Sequence, residues 1–420
     1  MKLKSLLIIL SFSIQTVVCQ QLAFPGADGF GKHAIGGRGG SIVHVTNLND
    51  SGAGSFREAV SQPKRMIVFD VSGVIHIQSR LTISSYITIA GQTAPGEGIV
   101  IYGDGVGMTG ANDVIIRFIR FRGSVNMGRG TCTLSADHAN NIIFDHVSVE
   151  WGRWDNLHIK ESKNITLQYC LIGEGINPQM FGALLENPTN LTLNHCLWVD
   201  NQSRNPKAKA GIEIINNVIY NWGSNGLVGG HSAAIHNQDI INNYFIAGPN
   251  SKPAFIGMFT ATDQVFQKGN LVDLNQDGKL NGRQVTNNDF SKIGATIVTN
   301  QQQKGTDQSK AESAEEAYNH VIKFAGASLV RDKIDNRLVE YVKTLGKKGM
   351  IIKSEEEVGG QKQFTKTEHQ KDTDNDGIPD NWETNHHLNP TDATDANLIT
   401  NDGYTNLEEY INELVKFKIQ

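Results

Sequence analysis

The chain has 420 residues, 39% of them apolar and 7% aromatic, with 43 glycines and a formal net charge of −5. That length supports one large core plus a small extra module. The slightly acidic balance excludes nucleic acid as a partner at the level of the whole chain, so any anionic ligand must be held by a local basic cluster.

In chain order, MKLKSLLIILSFSIQTVVC opens with Lys2 and Lys4, continues as an apolar run and ends at a small-residue cleavage site. This reads as a signal peptide over residues 1–19, and the apolar run is too short to span a bilayer. The expected product is secreted, periplasmic or held at the cell surface, with no membrane span. AFPGADGFGKHAIGGRGG is glycine-rich and irregular, with no preceding strand and no GK[ST], so it is not a phosphate loop. SGAGSFREAVSQ then predicts a short helix covering the end of the fold.

From ITIAG at 87 to INNYF at 241, seven short β-branched runs recur. Aligned on Ala90, Arg117, Asp145, Gln168, Asn194, Asn216 and Asn242, they are separated by 27, 28, 23, 26, 22 and 26 residues. Near-constant spacing of strand, polar residue, strand and Gly/Asn turn is the signature of a solenoid. The fold expected is all-β, a right-handed parallel β-helix with a small helical C-terminal elaboration. A β-sandwich is the competing arrangement, but it leaves the polar column from Asp145 to Asn242 unexplained. Cys132, Cys170 and Cys196 are odd in number and read as small buried thiols.

Between repeats, SVEWGRWDNLHIK offers Glu150, Trp151, Arg153, Trp154, Asp155, His158 and Lys160. The next basic stretch, VDNQSRNPKAKAG, places Arg204, Lys207 and Lys209 between two coils. Indoles that stack on sugar rings and cations that pair with carboxylates suit an acidic polysaccharide lying along a solenoid flank. DLNQDGKLNGRQ at 273–284 fits a weak Ca²⁺ loop and an Asx/Gly turn equally well. Residues 308–346 carry helical periodicity in two segments, with Ala317, Val321 and Phe324 on one face of the first. Ile334, Leu338, Tyr341 and Val342 form the apolar face of the second. This pair closes a domain expected over 20–346; 347–371 reads as a charged linker, and 372–420 as a calcium-binding module. In DTDNDGIPDNWE, Asp372, Asp374, Asp376, Asp380 and Glu383 occupy loop positions 1, 3, 5, 9 and 12 around Gly377, the spacing of an EF-hand-like Ca²⁺ loop. The module resembles the calcium-binding repeats of secreted carbohydrate-active enzymes.

SRNPKAKAG followed by INNVIYNW, with NIIFDHVSVEWG upstream, resembles the pectate lyases of polysaccharide lyase family 1, as do AFPGADGFG, LNDSGAGSFREAV and IAGQTAPGEGI. The resemblance covers residues 22–345, and its R-x-P-x-x-[RK] motif is fairly specific. It implies a right-handed parallel β-helix that cleaves polygalacturonate by calcium-assisted β-elimination; the calcium module and the signal segment point to a bacterial, secreted protein, expected as a monomer. Arg204 matches the residue that takes the C5 proton, and Lys209 the one that holds the sugar carboxylate. A guanidinium is ordinarily protonated, so Arg204 acts either as a locally deprotonated base or as an electrophile. Trp154, His158 and Lys160 are the further substrate contacts. The pattern departs from the family at its calcium ligands, where Gly130, Cys132, Trp154 and His158 stand; Asp155 is the candidate groove ligand, with Asp137 and Glu150 behind it. The family's substrate-binding lysine has no match in INPQMFGALLEN. Two other functions fit the residues: a hydrolase using Asp155 and Glu150 as paired acids, and a uronate-binding protein without activity.

Overall fold

A computed structural model describes residues 20–307 and 312–416. The expected signal peptide lies outside the described residues, as do residues 308–311 of the helical stretch. Three sheets, of eleven, ten and eight strands, run side by side along the chain, parallel throughout except for the strand Arg283–Gln284, which pairs antiparallel at the end of the ten-stranded sheet. Successive coils contribute one short strand to each, as in Asn140–Asp145, Ser148–Glu150 and Asp155–Lys160. This is the β-helix that the repeat implied. Its interior is a continuous apolar column in which Ile116, Phe144, Leu167, Leu193 and Ile214 are all buried.

The register corrects the expected polar column. Arg117, Asp145, Gln168 and Asn194 do pair rung by rung, but Asn194 then pairs with Ile215, and Ile215 with Ile241. Asn216 and Asn242 sit one residue later, because the coil after Asn194 advances by one residue fewer than the aligned motif suggests. They continue a corner column of Phe118, His146, Tyr169 and His195, all with φ between 50° and 56°. Their rings stack, at 4.4 Å, 5.0 Å and 4.9 Å in succession. Left-handed backbone is unfavourable for most residues, and stacking along the corner offsets part of that cost.

The amide ladder lies one position further on. The Asn217 backbone N–H donates to Asn243 Oδ1 and the Asn243 N–H to Asn270 Oδ1, each at 2.9 Å. Cys196 heads this ladder, donating its backbone N–H to Asn217 Oδ1 at 2.9 Å. All three described cysteines are free and buried, as their number implied.

The helix Phe56–Ala59 covers the first coil with a fully buried Phe56, while Phe290 of Asn287–Ser291 packs on Phe259 at the other end. The two long helices, Ala314–Phe324 and Lys333–Lys343, lie along the flank of the ten-stranded sheet rather than over its end. Val321 and Leu338 pack there on Leu197, Val218 and Tyr244. The 347–371 segment, expected as a linker, lies against the solenoid: Ile352 is buried, and Glu355 accepts from the Val125 N–H at 3.0 Å and Tyr102 Oη at 3.2 Å. Residues 372–416 pack Ile378, Ala396 and Leu407 on Met66, Val68 and Ala90. At 273–284, Asn281 donates to Asp277 Oδ2 and Asn275 donates to Asn281, so three of the loop's polar side chains bond to one another. None of the helices among the described residues is long and apolar enough to cross a membrane.

Candidate active site

The eight-stranded sheet carries most of the candidate site residues. Leu157, Ile159, Ala183, Leu185 and Ala208 point inward and are buried, so strand alternation sends their neighbours outward. One outward row runs Asp137, Lys160, Glu186, Lys209 on four consecutive rungs. A second, two residues earlier, runs Ser135, His158, Leu184, Lys207. Alternating charges one strand apart attract along the row. Lys209 Nζ lies 3.3 Å from Glu186 Oε1, and His158 Nε2 lies 3.5 Å from Glu186 Oε2.

Arg204 stands in the turn just before Lys207, at φ 60°. Gly182 admits it: a Cβ there would lie 2.4 Å from the Arg204 carbonyl oxygen, which itself accepts from the Ala183 N–H at 2.7 Å. Its guanidinium packs 4.1 Å from the Phe181 ring centre, and Nη1 donates to both oxygens of Asp155 at 3.0 Å. Nε and Nη2 make no hydrogen bond among the described residues. Phe181 occupies the segment where no substrate-binding lysine was found, and its ring packs against the guanidinium instead.

Asp155 is fully buried. Burial pushes its carboxyl up to about 6, against the opposing pull of Arg204. Lys207, which by sequence looks like a solvated neighbour of the other two cations, is half-buried on the outward face. Burial and the charges of Arg204 and Lys209 hold its ammonium below the ordinary lysine value. Burial likewise lowers His158. A cleft of about 260 Å³ on this face is lined by Arg80, Cys132, Ser135, Asp137, His158 and Lys160. Trp154 is 37% exposed at its edge. The structure therefore brings Arg204, Lys209, His158, Lys160 and Trp154 to one surface. Arg80, which donates to Ser135 Oγ, was not found from sequence because a lone arginine in a distant turn carries no signal.

No protein-family model matches the chain. It is 41% identical over 396 residues to a probable pectate lyase C of Aspergillus flavus, covering 94% of each. It is 39% identical over 417 residues to a probable pectate lyase C of Aspergillus fumigatus, covering 99% of each. The chain belongs to the pectate lyase family. As a pectate lyase-type enzyme it also shares its fold with solved members: a thermostable pectate lyase, PL 47, superposes with TM-score 0.54 at 14% identity, over 74% of this chain and 98% of that one. A pectate lyase studied for its anti β-elimination mechanism gives TM-score 0.51 at 13% identity, over 74% and 98%.

The donor set of this pectate lyase groove does not fit a resident cation. Asp155, expected as a groove metal ligand, has both oxygens on Arg204. Glu186 is paired with Lys209, and Asp137 with His138 at 2.7 Å. Glu150 lies inside the molecule, fully buried against Arg122 at 2.9 Å. Trp151 is buried with it, and Arg153 is used up on the carbonyls of Val125 and Met127. Among the described residues, groups of three ligand atoms within 4.8 Å of one another occur elsewhere: at His195, Glu312 and His320, and twice in the C-terminal segment. There Asp372, Asp374 and Asp376 come together, and Asp376 also meets Glu383 and Asp395. Asp380 does not join them, because its oxygens accept from Lys371 Nζ at 2.7 Å and from the Thr373 N–H at 2.8 Å. Asp395 was missed from sequence, since it lies beyond the twelve-residue loop.

Proposed function

We propose that this protein is a secreted lyase that cleaves polygalacturonate by β-elimination, with Arg204 acting on the C5 hydrogen. The observation that carries the reading is the placement of Arg204, braced by Asp155 and Phe181, beside the outward pair Lys207 and Lys209. A uronate carboxylate set between the two ammonium groups gains charge-assisted hydrogen bonds. The same charges stabilise the enolate-like anion that forms when C5 loses its proton. Arg204 turns its unbonded Nε–Nη2 edge to that hydrogen, and in its neutral form a nitrogen of this edge takes the C5 proton, becoming the guanidinium that Asp155 holds. The anion then expels the 4-oxygen, leaving a 4,5-unsaturated uronate and a new chain end. The half-buried ammonium of Lys207 is more weakly hydrated than an exposed one, which strengthens its pairing with substrate.

Calcium assistance, which the resemblance implies, would need groove carboxylates open to the ion, and these are neutralised by the protein's own cations. The hydrolase reading loses its pair of acids, since Glu150 is interior and cannot face Asp155 across a groove. Incubation with polygalacturonate is expected to generate the ultraviolet absorbance of an unsaturated uronate. Arg204→Ala is expected to lower that rate by about 10²-fold or more. Reducing ends without absorbance would mean hydrolysis, and saturable binding without product would mean a binding protein.

A further inference from the structure

The acids of the C-terminal segment are arranged differently from those of the groove. Asp372 accepts from the backbone N–H groups of Asn375 and Gly377 at 2.8 and 2.9 Å. Asp376 Oδ1 accepts from the Ile378 N–H at 2.9 Å, and Asp395 Oδ2 from the Asn389 N–H at 3.0 Å. These bonds fix the carboxylates with their other oxygens turned inward. Both oxygens of Asp374, Oδ2 of Asp376, both oxygens of Glu383 and Oδ1 of Asp395 are buried and have no hydrogen-bond partner among the described residues. Glu383 is 0% and Asp376 1% exposed. A solvated acidic turn would spread its carboxylates into water, whereas here they converge. Buried anions without partners are among the costliest arrangements in a protein. Burial and the neighbouring carboxylates push Glu383 up to about 8 and Asp376 up to about 7.

We propose that Asp374, Asp376, Glu383 and Asp395, with Asp372 shaping the loop, bind one Ca²⁺ ion that staples the C-terminal module onto the first coils of the solenoid. An all-oxygen set of six protein donors suits Ca²⁺, which takes six to eight, better than Mg²⁺, which keeps several waters. The ligand set departs from a linear twelve-residue loop: Asp395 from the second half of the module takes the place of Asp380. The ion thereby ties 372–383 to the turn at 395. Ile378 and Ala396, each within two residues of a ligand, are the side chains that bury Met66, Val68 and Ala90. His44 adds a tie from the first strand, its Nε2 lying 3.1 Å from the Asn375 carbonyl oxygen. None of these residues belongs to the groove, so ion binding here is independent of the reaction there.

The test uses the full chain stripped with chelator, titrated with Ca²⁺ by calorimetry and followed by thermal unfolding. Tb³⁺ luminescence excited through Trp382, the residue before Glu383, gives a second readout. The expected result is one ion per chain and a rise in Tm of about 3 °C or more at saturation. Asp395→Asn and Glu383→Gln should each weaken Ca²⁺ binding about tenfold or more. Asp380→Asn should bind within about twofold of the parent. Absence of saturable Ca²⁺ binding by the unsubstituted chain would overturn the site. Loss of binding in Asp380→Asn with retention in Asp395→Asn would overturn the ligand set. If one variant fails to fold, the other and the parent titration still decide both points.

Discussion

In the folded protein the Asp155 carboxyl titrates at about 6, because burial works against the charge of Arg204. Below that pH the carboxyl is protonated and the ion pair weakens; above it the pair is intact. The rate of product formation should therefore fall on the acid side with an apparent pKa near 6. Asp155→Asn should flatten that limb and lower the plateau by about 10-fold or more, as expected when a positioned group loses its anchor. An unchanged acid limb in the variant would show that another group sets it. Lys207→Ala is expected to raise KM more than it lowers kcat, since its ammonium meets the carboxylate before and during reaction. Residue by residue, what could be read from sequence was local. Arg204, Lys207 and Lys209 stand out as a basic cluster between apolar runs, and Trp154, His158 and Lys160 as a polar strand beside them. Arg80 and Asp395 act through partners more than fifty residues away or outside a recognised spacing, so only the fold could pair them.

Among the elements, the repeat was legible because strand length and β-branched content leave few alternatives at that spacing. Register was harder to read. Asparagines occur at consecutive positions, as in Asn216-Asn217 and Asn242-Asn243, and a one-residue slip moves a side chain from the inner ladder to the left-handed corner. Asn243 belongs to the ladder: its Nδ2 donates to the Ile214 carbonyl at 2.8 Å, and its Oδ1 accepts from the Asn217 N–H. Asn243→Leu should cost about 1–3 kcal/mol in denaturant unfolding by leaving buried amide groups unpaired. Gly182 matters for another element, the turn that carries Arg204. Gly182→Ala forces its Cβ into the Arg204 carbonyl oxygen, at 2.4 Å without adjustment. The turn must move, and activity should fall about 10-fold or more while Tm changes by a few degrees. Equal activity in the variant would show that the turn can shift without displacing the guanidinium.

In the molecule as a whole, the chain stays against the solenoid on both sides of the boundary at 346 suggested by composition. Charge and glutamine content marked 347–371 as linker-like, yet composition does not show that Ile352 is buried or that Glu355 answers two donors of the solenoid. Beyond this strap, the module closes over Met66, Val68 and Ala90 on the outer face of the eleven-stranded sheet. A chain ending at residue 346 would leave Met66 and Val68 facing water, at a cost of about 3–6 kcal/mol for two such side chains. Arg38 would also lose Glu408, which it meets at 2.9 Å with both groups largely buried. The proposed site, Arg204 with Lys207 and Lys209, lies on the eight-stranded sheet, away from the Met66, Val68 and Ala90 contacts of the module. The truncated protein should therefore keep the parent kcat at low temperature but unfold at least several degrees lower and aggregate on mild warming. Thermal unfolding and initial rates, measured side by side on the truncated and full chains, separate these effects. A truncated chain as stable as the parent would mean that the module is docked without contributing to the fold. A truncated chain that is stable but inactive would mean that the module reaches the reaction by a route other than stability.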